Sequence, residues 1–356
     1  MSDEITGVWL VGALGGLATT VVVGATAIRR GLVARIGLAS DGPEFDALQL
    51  PAIDRLIFGG HDVRAGDFVA SAEQIAAENG SIPTALVRQI ATDLSETSRE
   101  LRPGTAINCG PAIARFAEQS RSIANLPLRD QVNALIRDLE SFRERHRLTR
   151  VVVINVASTE PPIDPLPELE TRGGLESLID GDRRSALRAS LLYAYAALRA
   201  GCPYINFTPS NAALSGGITA MADEFGLPYM GSDGKTGETL VKTTLAPMFR
   251  HRALRVLSWQ GYNILGDRDG EVLSDDAHRE AKVRSKDRAL SEILGYPLHT
   301  HVGIDFVPSL KDLKTAWDFI HFEGFLGFKM SMQFTWQGCD AILAAPLVID
   351  LARFAA

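Results

Sequence analysis

The sequence predicts an α/β fold built on a parallel sheet, and two features carry that prediction. An apolar run, Val8–Val11, is followed by a glycine-rich turn and an apolar helical stretch to about Ile28. Much later, Val151–Val156 is a β-branched run with few polar residues, which is typical of a parallel strand covered on both faces. With 356 residues, the chain is long enough for two domains, or for one domain with a large insertion.

The amino-terminal turn favours a dinucleotide. Gly12, Gly15 and Gly16 stand between the predicted strand and helix, where glycines admit a pyrophosphate and the helix N-terminus faces it. Their spacing departs from G-x-G-x-x-G. The uncharged stretch from Val8 to Ile28 is also long enough to span a membrane, but acidic residues precede it and glycines interrupt it. We therefore expect a dinucleotide site here and no membrane span.

Small polar residues follow three predicted strands in the first 235 residues. They occupy 157–162, 206–211 and the segment that begins at Gly231. The carboxyl ends of parallel strands meet at one edge of a sheet, and ligands bind at that edge. We expect these three strand ends to form one crevice.

The segment Gly231–Thr239 has the features of an anion site. Gly234 and Gly237 allow close backbone approach, Thr236 and Thr239 offer hydroxyls, and the N–H groups that open the next helix favour a phosphate. The glycine and lysine spacing is not that of a Walker motif. An ordinary helix start with Thr236 or Thr239 as the N-cap is the alternative.

Two lysines one helical turn apart extend this interpretation. Lys282 and Lys286 project from one face of a predicted helix. Like charges there either remain in solvent or face an anion, and the lysine pair alone leaves both alternatives open.

Composition excludes several partners. The formal net charge is −7, whereas a nucleic-acid-binding protein needs a basic face. The three cysteines, Cys109, Cys202 and Cys339, form no C-x-x-C pair, which indicates reduced thiols, a cytoplasmic location and no structural zinc. His61, His278, His301 and His321 show no metal-ligand spacing, so we expect no metal.

The pattern changes in the second half of the chain. From about 240 to 335 it shifts to amphipathic helix and alternating strands, as in Gln333–Gln337, and 341–354 then forms an apolar helix that closes the first domain. The predicted domains are 1–239 with 341–356, and 240–340.

With these segments in place, the chain resembles the myo-inositol-1-phosphate synthase family, especially its shorter archaeal and bacterial branch. The resemblance runs from Val8 to about Phe354. Six segments carry it in the family's order: Phe58–Asp62, Asn155–Glu160, Gly231–Gly237, Tyr262–Asp269, Arg284–Lys286 and Trp336–Asp340.

The resemblance implies a Rossmann-type NAD-binding domain and an inserted α+β domain used for catalysis and for assembly of a homotetramer. Residues matching the family's cofactor contacts are Gly12, Gly15, Gly16, Asp62, Ala157, Thr159, Asp233 and Asp340. Those matching its phosphate-binding turn are Thr236, Gly237, Glu238 and Thr239. The implied catalytic residues are Lys282, Lys286, Lys314 and Asp269.

The family reaction explains the lysines. It oxidises C5 of glucose 6-phosphate, removes a C6 proton, closes the ring by attack of the enolate on the C1 aldehyde, and reduces the product with the same cofactor. Convergent lysines stabilise the oxyanions that develop. We assign Lys282 to the C5 oxygen, Lys286 to the phosphate or its neighbouring oxygen, and Lys314 to the aldehyde oxygen.

Three departures from the family keep alternatives open. The family has a further catalytic lysine beyond the segment matching 341–354. Either an existing residue such as Lys235, Lys311 or Lys329 substitutes for it here, or the chemistry has changed. Glu238 stands where the family has an amide, and Asp267 where it often has Asn. The same chemistry on a ketose such as fructose 6-phosphate, giving a five-membered ring, is one alternative. A sugar-phosphate dehydrogenase or epimerase is another, and an NAD-binding protein without catalysis is the third.

Overall fold

A computed structural model describes residues 4–78, 80–117, 121–234, 236–266, 270 and 290–356. Within it the chain divides into two compact units. The first is Met1–Gly234 with Ala345–Ala356, and the second is Lys235–Ala344. Each unit has its own β-sheet.

The first unit contains a six-stranded sheet in the order β3-β2-β1-β4-β5-β6. All its neighbouring pairs are parallel. Its strands are β1 (Thr6–Val11), β2 (Leu56–Asp62), β3 (Leu101–Pro103), β4 (Arg150–Asn155), β5 (Tyr204–Asn206) and β6 (Tyr229–Met230). This order reverses direction between β1 and β4, and dinucleotides bind at that reversal.

Helices cover both faces of this sheet. Val8 and Leu10 point to one side, into a core shared with α1 and α3, whereas Trp9 and Val11 point to the other. The helices of this unit are α1 (Gly16–Arg29), α2 (Phe68–Glu78), α3 (Thr84–Ser98), α4 (Pro111–Ala114), α5 (Arg121–Ala124), α6 (Leu128–His146), α7 (Arg172–Asp180), α8 (Ala189–Arg199) and α9 (Gly216–Phe225). Burial on both faces explains the near-continuous apolar run of β4.

The uncharged amino-terminal stretch forms a strand and a separate helix. β1 ends at Val11 and α1 begins at Gly16, so the stretch is not one continuous helix. Among the described residues, the helices are too short or too polar to cross a membrane.

The second unit has a four-stranded sheet in the order β10-β9-β7-β8. Its elements are α10 (Glu238–His251), β7 (Arg255–Leu265), β8 (His299–Phe306), β9 (Leu313–Glu323) and β10 (Lys329–Cys339), followed by α11 (Asp340–Ala355), whose residues from Ala345 belong to the first unit. Phe249 of α10 packs on Trp259 and Phe322 of the sheet. The predicted fold class, a Rossmann-type domain combined with an α+β unit, is confirmed.

Candidate active site

The turn after β1 leaves room for a ligand. Gly12 has φ +83°, and a Cβ placed on it would lie 2.7 Å from the Cα of Ala157. A side chain therefore fits there neither conformationally nor sterically. Gly15 is the N-cap of α1 and supplies no capping side chain, and a Cβ on Gly16 would meet nothing within 4 Å. These residues fit the pyrophosphate of a dinucleotide, which would face the N–H groups that open α1.

The end of β2 holds this turn in place. The carbonyl oxygen of His61 accepts hydrogen bonds from Gly12 N at 2.9 Å and Ala13 N at 3.1 Å. The Asp62 carboxylate accepts one from Leu14 N at 2.6 Å and is 5% exposed. Asp62 thus orders the glycine turn, and its direct contact with the cofactor stays a prediction.

His61 has a structural role, with partners that the sequence did not specify. Trp9 Nε1–H donates to His61 Nδ1 at 2.8 Å, so the other ring nitrogen, 3.1 Å from Asp138, carries the proton. Burial is the main effect on its pKa, which is lowered despite Asp138. Neutral His61 thereby ties β1 to β2 directly behind the glycine turn.

Side-chain hydrogen bonds join the ends of β4 and β5. Asn155 Nδ2 donates to Asn206 Oδ1 at 3.3 Å, and Thr208 Oγ1 donates to the same oxygen at 2.8 Å. After β6, Asp233 N donates to the carbonyl oxygen of Thr208 at 2.8 Å. The three predicted strand ends therefore meet, with Ala157 among them beside Gly12.

Glu160 anchors the turn that follows β4. Its backbone N–H donates to Ser210 Oγ at 3.0 Å, and its carboxylate accepts from Ser190 N at 3.1 Å, in the first turn of α8. Burial raises the pKa of Glu160 to about 7, against the opposing hydrogen bonds from Ser190. Thr159, which we predict to contact the cofactor, is 2% exposed and directly precedes this anchored residue.

In the second unit, Lys314 and Asp340 form an ion pair. Lys314 Nζ lies 3.0 Å from an Asp340 carboxylate oxygen, and Lys314 is 5% exposed. Thr236 Oγ1 donates to Asp340 at 3.4 Å. The structure therefore brings together one predicted catalytic residue, one predicted cofactor contact and one residue of the predicted phosphate turn.

The start of α10 faces this ion pair. A Cβ on Gly237 would lie 2.8 Å from Lys314 Nζ. Gly237 is the N-cap and makes no side-chain capping bond, while Thr239 lies inside the helix. The alternative of a threonine N-cap is wrong, since Gly237 occupies that position and the Thr236 hydroxyl donates to Asp340. The first N–H groups of α10 lack intrahelical acceptors and suit an anion.

Buried polar residues of the second unit also escaped the sequence reasoning. Lys242, Asn263 and Asp318 are each 0% exposed, and Trp259 Nε1 donates to Asp318 at 2.6 Å. Lys242 was recognisable in principle, since it shares the apolar face of α10 with Ala246 and Phe249, four and seven residues later. A lysine on a buried face requires a polar environment.

Several predicted residues lie outside the described part of the chain. They are Lys282, Lys286 and Asp269, together with Lys235 and Asp267. Glu238 begins α10.

The two other possible substitutes for the family's further catalytic lysine, Lys311 and Lys329, lie among the described residues. Lys329 pairs with Glu323 at one end of the β9–β10 hairpin, whereas Lys314 pairs with Gly338 at the other. At about 3.3 Å per residue, Lys329 is about 30 Å from Lys314 and cannot serve the same site in one chain. The backbone N of Lys311 approaches Gly266, where an added Cβ would lie 2.3 Å from it.

The strand order and the glycine turn define a dinucleotide-binding α/β protein. Residues 39–356 match an NAD-binding family described as myo-inositol-1-phosphate synthase. The chain is 32% identical to inositol-3-phosphate synthase 1 of Bacteroides thetaiotaomicron, over 98% of this chain and 83% of that protein. The chain therefore belongs to the myo-inositol-1-phosphate synthase family, whose members are NAD-using enzymes.

Other relatives agree with this assignment. The inositol-3-phosphate synthase of Trypanosoma brucei brucei is 31% identical over 62% of this chain, and the match spans 44% of its own length. A crystal structure of inositol-3-phosphate synthase from Caenorhabditis elegans superposes with TM-score 0.88 at 21% identity, over 99% of this chain and 75% of that one. A myo-inositol-1-phosphate synthase-related protein from Thermotoga maritima gives TM-score 0.78 at 22% identity, over 99% and 87%. These two structures support the fold.

Proposed function

We propose that this protein cyclises a sugar 6-phosphate to a cyclitol phosphate, with glucose 6-phosphate as substrate and myo-inositol 1-phosphate (3-phosphate in 1D numbering) as product. One observation carries the proposal. Lys314, paired with Asp340, stands beside the uncapped start of α10, so a carbonyl-polarising cation and a phosphate-binding helix start occur together. The names of the relatives support the same reaction.

Lys314 supplies electrostatic stabilisation. Its ammonium group, largely removed from water, is held by Asp340, so little reorganisation is needed when negative charge develops on a substrate oxygen. We assign it to the C1 aldehyde oxygen, which becomes an alkoxide as the ring closes. Asp340 fixes the direction of the ammonium, and Thr236 in turn fixes Asp340.

The first unit positions the cofactor. Bound NAD⁺ would supply the reversible oxidation that opens and completes the reaction. Gly12, Gly15 and Gly16 would admit its pyrophosphate, while Ala157, Thr159 and Asp233 would contact it from the strand ends. We further propose that Lys282, Lys286 and Asp269 complete the catalytic set.

The decisive experiment supplies catalytic NAD⁺ and a panel of hexose and ketose 6-phosphates, with NMR identification of the products. We expect an inositol phosphate from glucose 6-phosphate and no net accumulation of NADH. A five-membered cyclitol from fructose 6-phosphate would change the assigned substrate. Accumulation of NADH in proportion to the sugar phosphate consumed would instead indicate a simple dehydrogenase.

We also propose a homotetramer. The turn between β9 and β10 exposes Phe325 and Leu326, each 89%, and Phe328, 69%, and such an apolar patch on a soluble chain favours a protein contact. Light scattering should give four chains for the wild type. The double variant Phe325→Ser with Phe328→Ser should give a smaller assembly.

A further inference from the structure

Trp336 lies on the same face of the second sheet as Lys314. In the β9–β10 ladder Trp336 is opposite Ala316, and Gly338 is opposite Lys314. Directly opposed residues share a face, and residues two apart along a strand do as well. The Trp336 ring therefore projects towards the side that carries the Lys314–Asp340 pair.

The indole of Trp336 lies beside the start of α10. A Cβ on Gly338 would lie 2.5 Å from Trp336 Cζ3, and a Cβ on Gly237 would lie 3.2 Å from Trp336 Cζ2. Cζ2 is bonded to the same ring carbon as Nε1, so the edge near Gly237 is the one that carries the N–H group. Both glycines leave space that the ring uses.

The Trp336 N–H group is buried, and it meets no hydrogen-bond acceptor in the part of the chain that the structure describes. An indole nitrogen only donates, and a buried donor is normally satisfied. Two further donors lie nearby, the Lys314 ammonium group, which is paired with Asp340, and the N–H groups that open α10. A ligand that satisfies all three must offer several acceptor oxygens and negative charge.

We propose that Trp336 Nε1–H donates a hydrogen bond to a phosphate oxygen of the substrate, and so selects a phosphorylated sugar. This inference rests on the proposed function, and adds to it a recognition residue that carries no charge. Because the bond is present both in the bound substrate and during the reaction, it strengthens binding without changing the chemical step.

Indole NMR tests the contact directly. The chain has four tryptophans, so ¹⁵N-tryptophan labelling gives four indole N–H signals, and Trp336→Phe, or Trp336→Tyr if that variant fails to fold, assigns the one from Trp336. Glucitol 6-phosphate has no aldehyde carbon and cannot cyclise. Added to the NAD-loaded wild-type protein, it should move the Trp336 signal downfield. The signals of Trp9 and Trp259, already bonded to His61 and Asp318, should stay.

Affinity provides the second arm. In Trp336→Phe the ring remains and the donor is lost, so glucitol 6-phosphate should bind about tenfold more weakly, while the affinity for NAD is unchanged. With glucose 6-phosphate, KM should rise about tenfold at nearly constant kcat. Trp317→Phe is the matched control, since Trp317 lies one residue from Ala316 on the opposite face of the same sheet.

The outcomes separate this proposal from the proposed function. An unmoved Trp336 signal in a protein that binds glucitol 6-phosphate, or a Trp336→Phe variant with wild-type affinity, overturns the role of Trp336 alone. A wild-type protein that binds no sugar phosphate overturns both. Equal weakening for unphosphorylated glucitol would also overturn it, since the contact would then not be with phosphate.

Discussion

The candidate cofactor site of the first unit and the candidate sugar site of the second unit differ in how their polar groups are satisfied. In the first unit the turn amides bind His61 and Asp62, and the strand-end side chains bind one another. In the second unit Lys314 is paired with Asp340, but the N-cap of α10 makes no side-chain capping bond, and the buried Trp336 N–H group meets no acceptor among the described residues. The candidate cofactor site is thus defined by backbone shape, and the candidate sugar site by donors and charge. We therefore expect substitutions in these two sites to impair binding and catalysis in different ways.

We expect the largest loss of activity from a substitution in the candidate sugar site. Lys314→Met keeps much of the length of the side chain and removes its charge, so kcat should fall by about 10²- to 10³-fold, the usual result of losing a stabilising donor. NAD binding, followed by calorimetry, should remain at the wild-type level. Near-normal turnover would remove Lys314 from the mechanism.

Lys329→Met is the matched control for this variant. Lys329 is an exposed lysine of the same hairpin, at the end remote from Lys314. We expect wild-type kcat and KM. A comparable loss in the control would mean that the charge of the whole hairpin, and not the ion pair, matters.

In the candidate cofactor site, we expect substitutions to weaken NAD binding through steric clashes. Gly12→Ala forces a left-handed residue, which costs about 1–2 kcal/mol, and drives its Cβ into the Ala157 backbone. NAD affinity should therefore fall about a hundredfold or more. Gly24→Ala makes the same change inside α1, where an added Cβ meets nothing within 4 Å, and should stabilise the protein by about 0.5–1 kcal/mol. Calorimetric titration and thermal unfolding of the two variants check this; equal NAD affinities would contradict it.

Hydrophobic pattern and turn chemistry predicted the elements that are strongly buried. The β1–turn–α1 unit, the β4 strand and the final helix all have continuous apolar signals, because packing on both sheet faces demands them. β6 has two residues and gives no such signal. The parallel pairing of β7 with β8 depends on partners about forty residues apart, which local sequence does not specify.

The candidate site was predictable only residue by residue. Lys314 and Asp340 were each named from the sequence, for different ligands, but their pairing depends on strand register, which tertiary packing sets. Trp336 lay within a recognised segment, yet the absence of an acceptor for its N–H group among the described residues is a property of its surroundings. Glu160 was likewise within a recognised segment, and its raised pKa comes from burial.

The pH dependence of stability tests how well Glu160, in the turn after β4, is shielded from water. With a pKa raised to about 7 by burial, the native state keeps a proton that the unfolded chain releases. The contribution of Glu160 is therefore fully present below the unfolded pKa and is lost as pH rises to about 7, by on the order of 2–3 kcal/mol. Glu160→Gln stays neutral, so its stability relative to wild type should increase between pH 5 and pH 8 by about that amount.

Urea unfolding at both pH values measures this difference. Glu168→Gln, at an exposed position, should show no comparable change. A parallel pH dependence in wild type and Glu160→Gln would show that water reaches Glu160, and that the turn after β4 is less closed than its hydrogen bonds indicate.

The smallest expected effect is that of replacing Thr236. Its size depends on whether the Thr236 hydroxyl only orients Asp340 or also binds the substrate phosphate. Its hydroxyl donates to Asp340 at 3.4 Å, a long hydrogen bond, so Thr236→Val should cost about 1 kcal/mol or less and lower kcat/KM by no more than about fivefold. Thr244→Val, on the exposed side of α10, is the control and should match wild type. A loss of a hundredfold in KM at unchanged kcat would instead place the Thr236 hydroxyl on the substrate phosphate. Thr236 would then be a direct phosphate contact, in addition to its role in orienting Asp340.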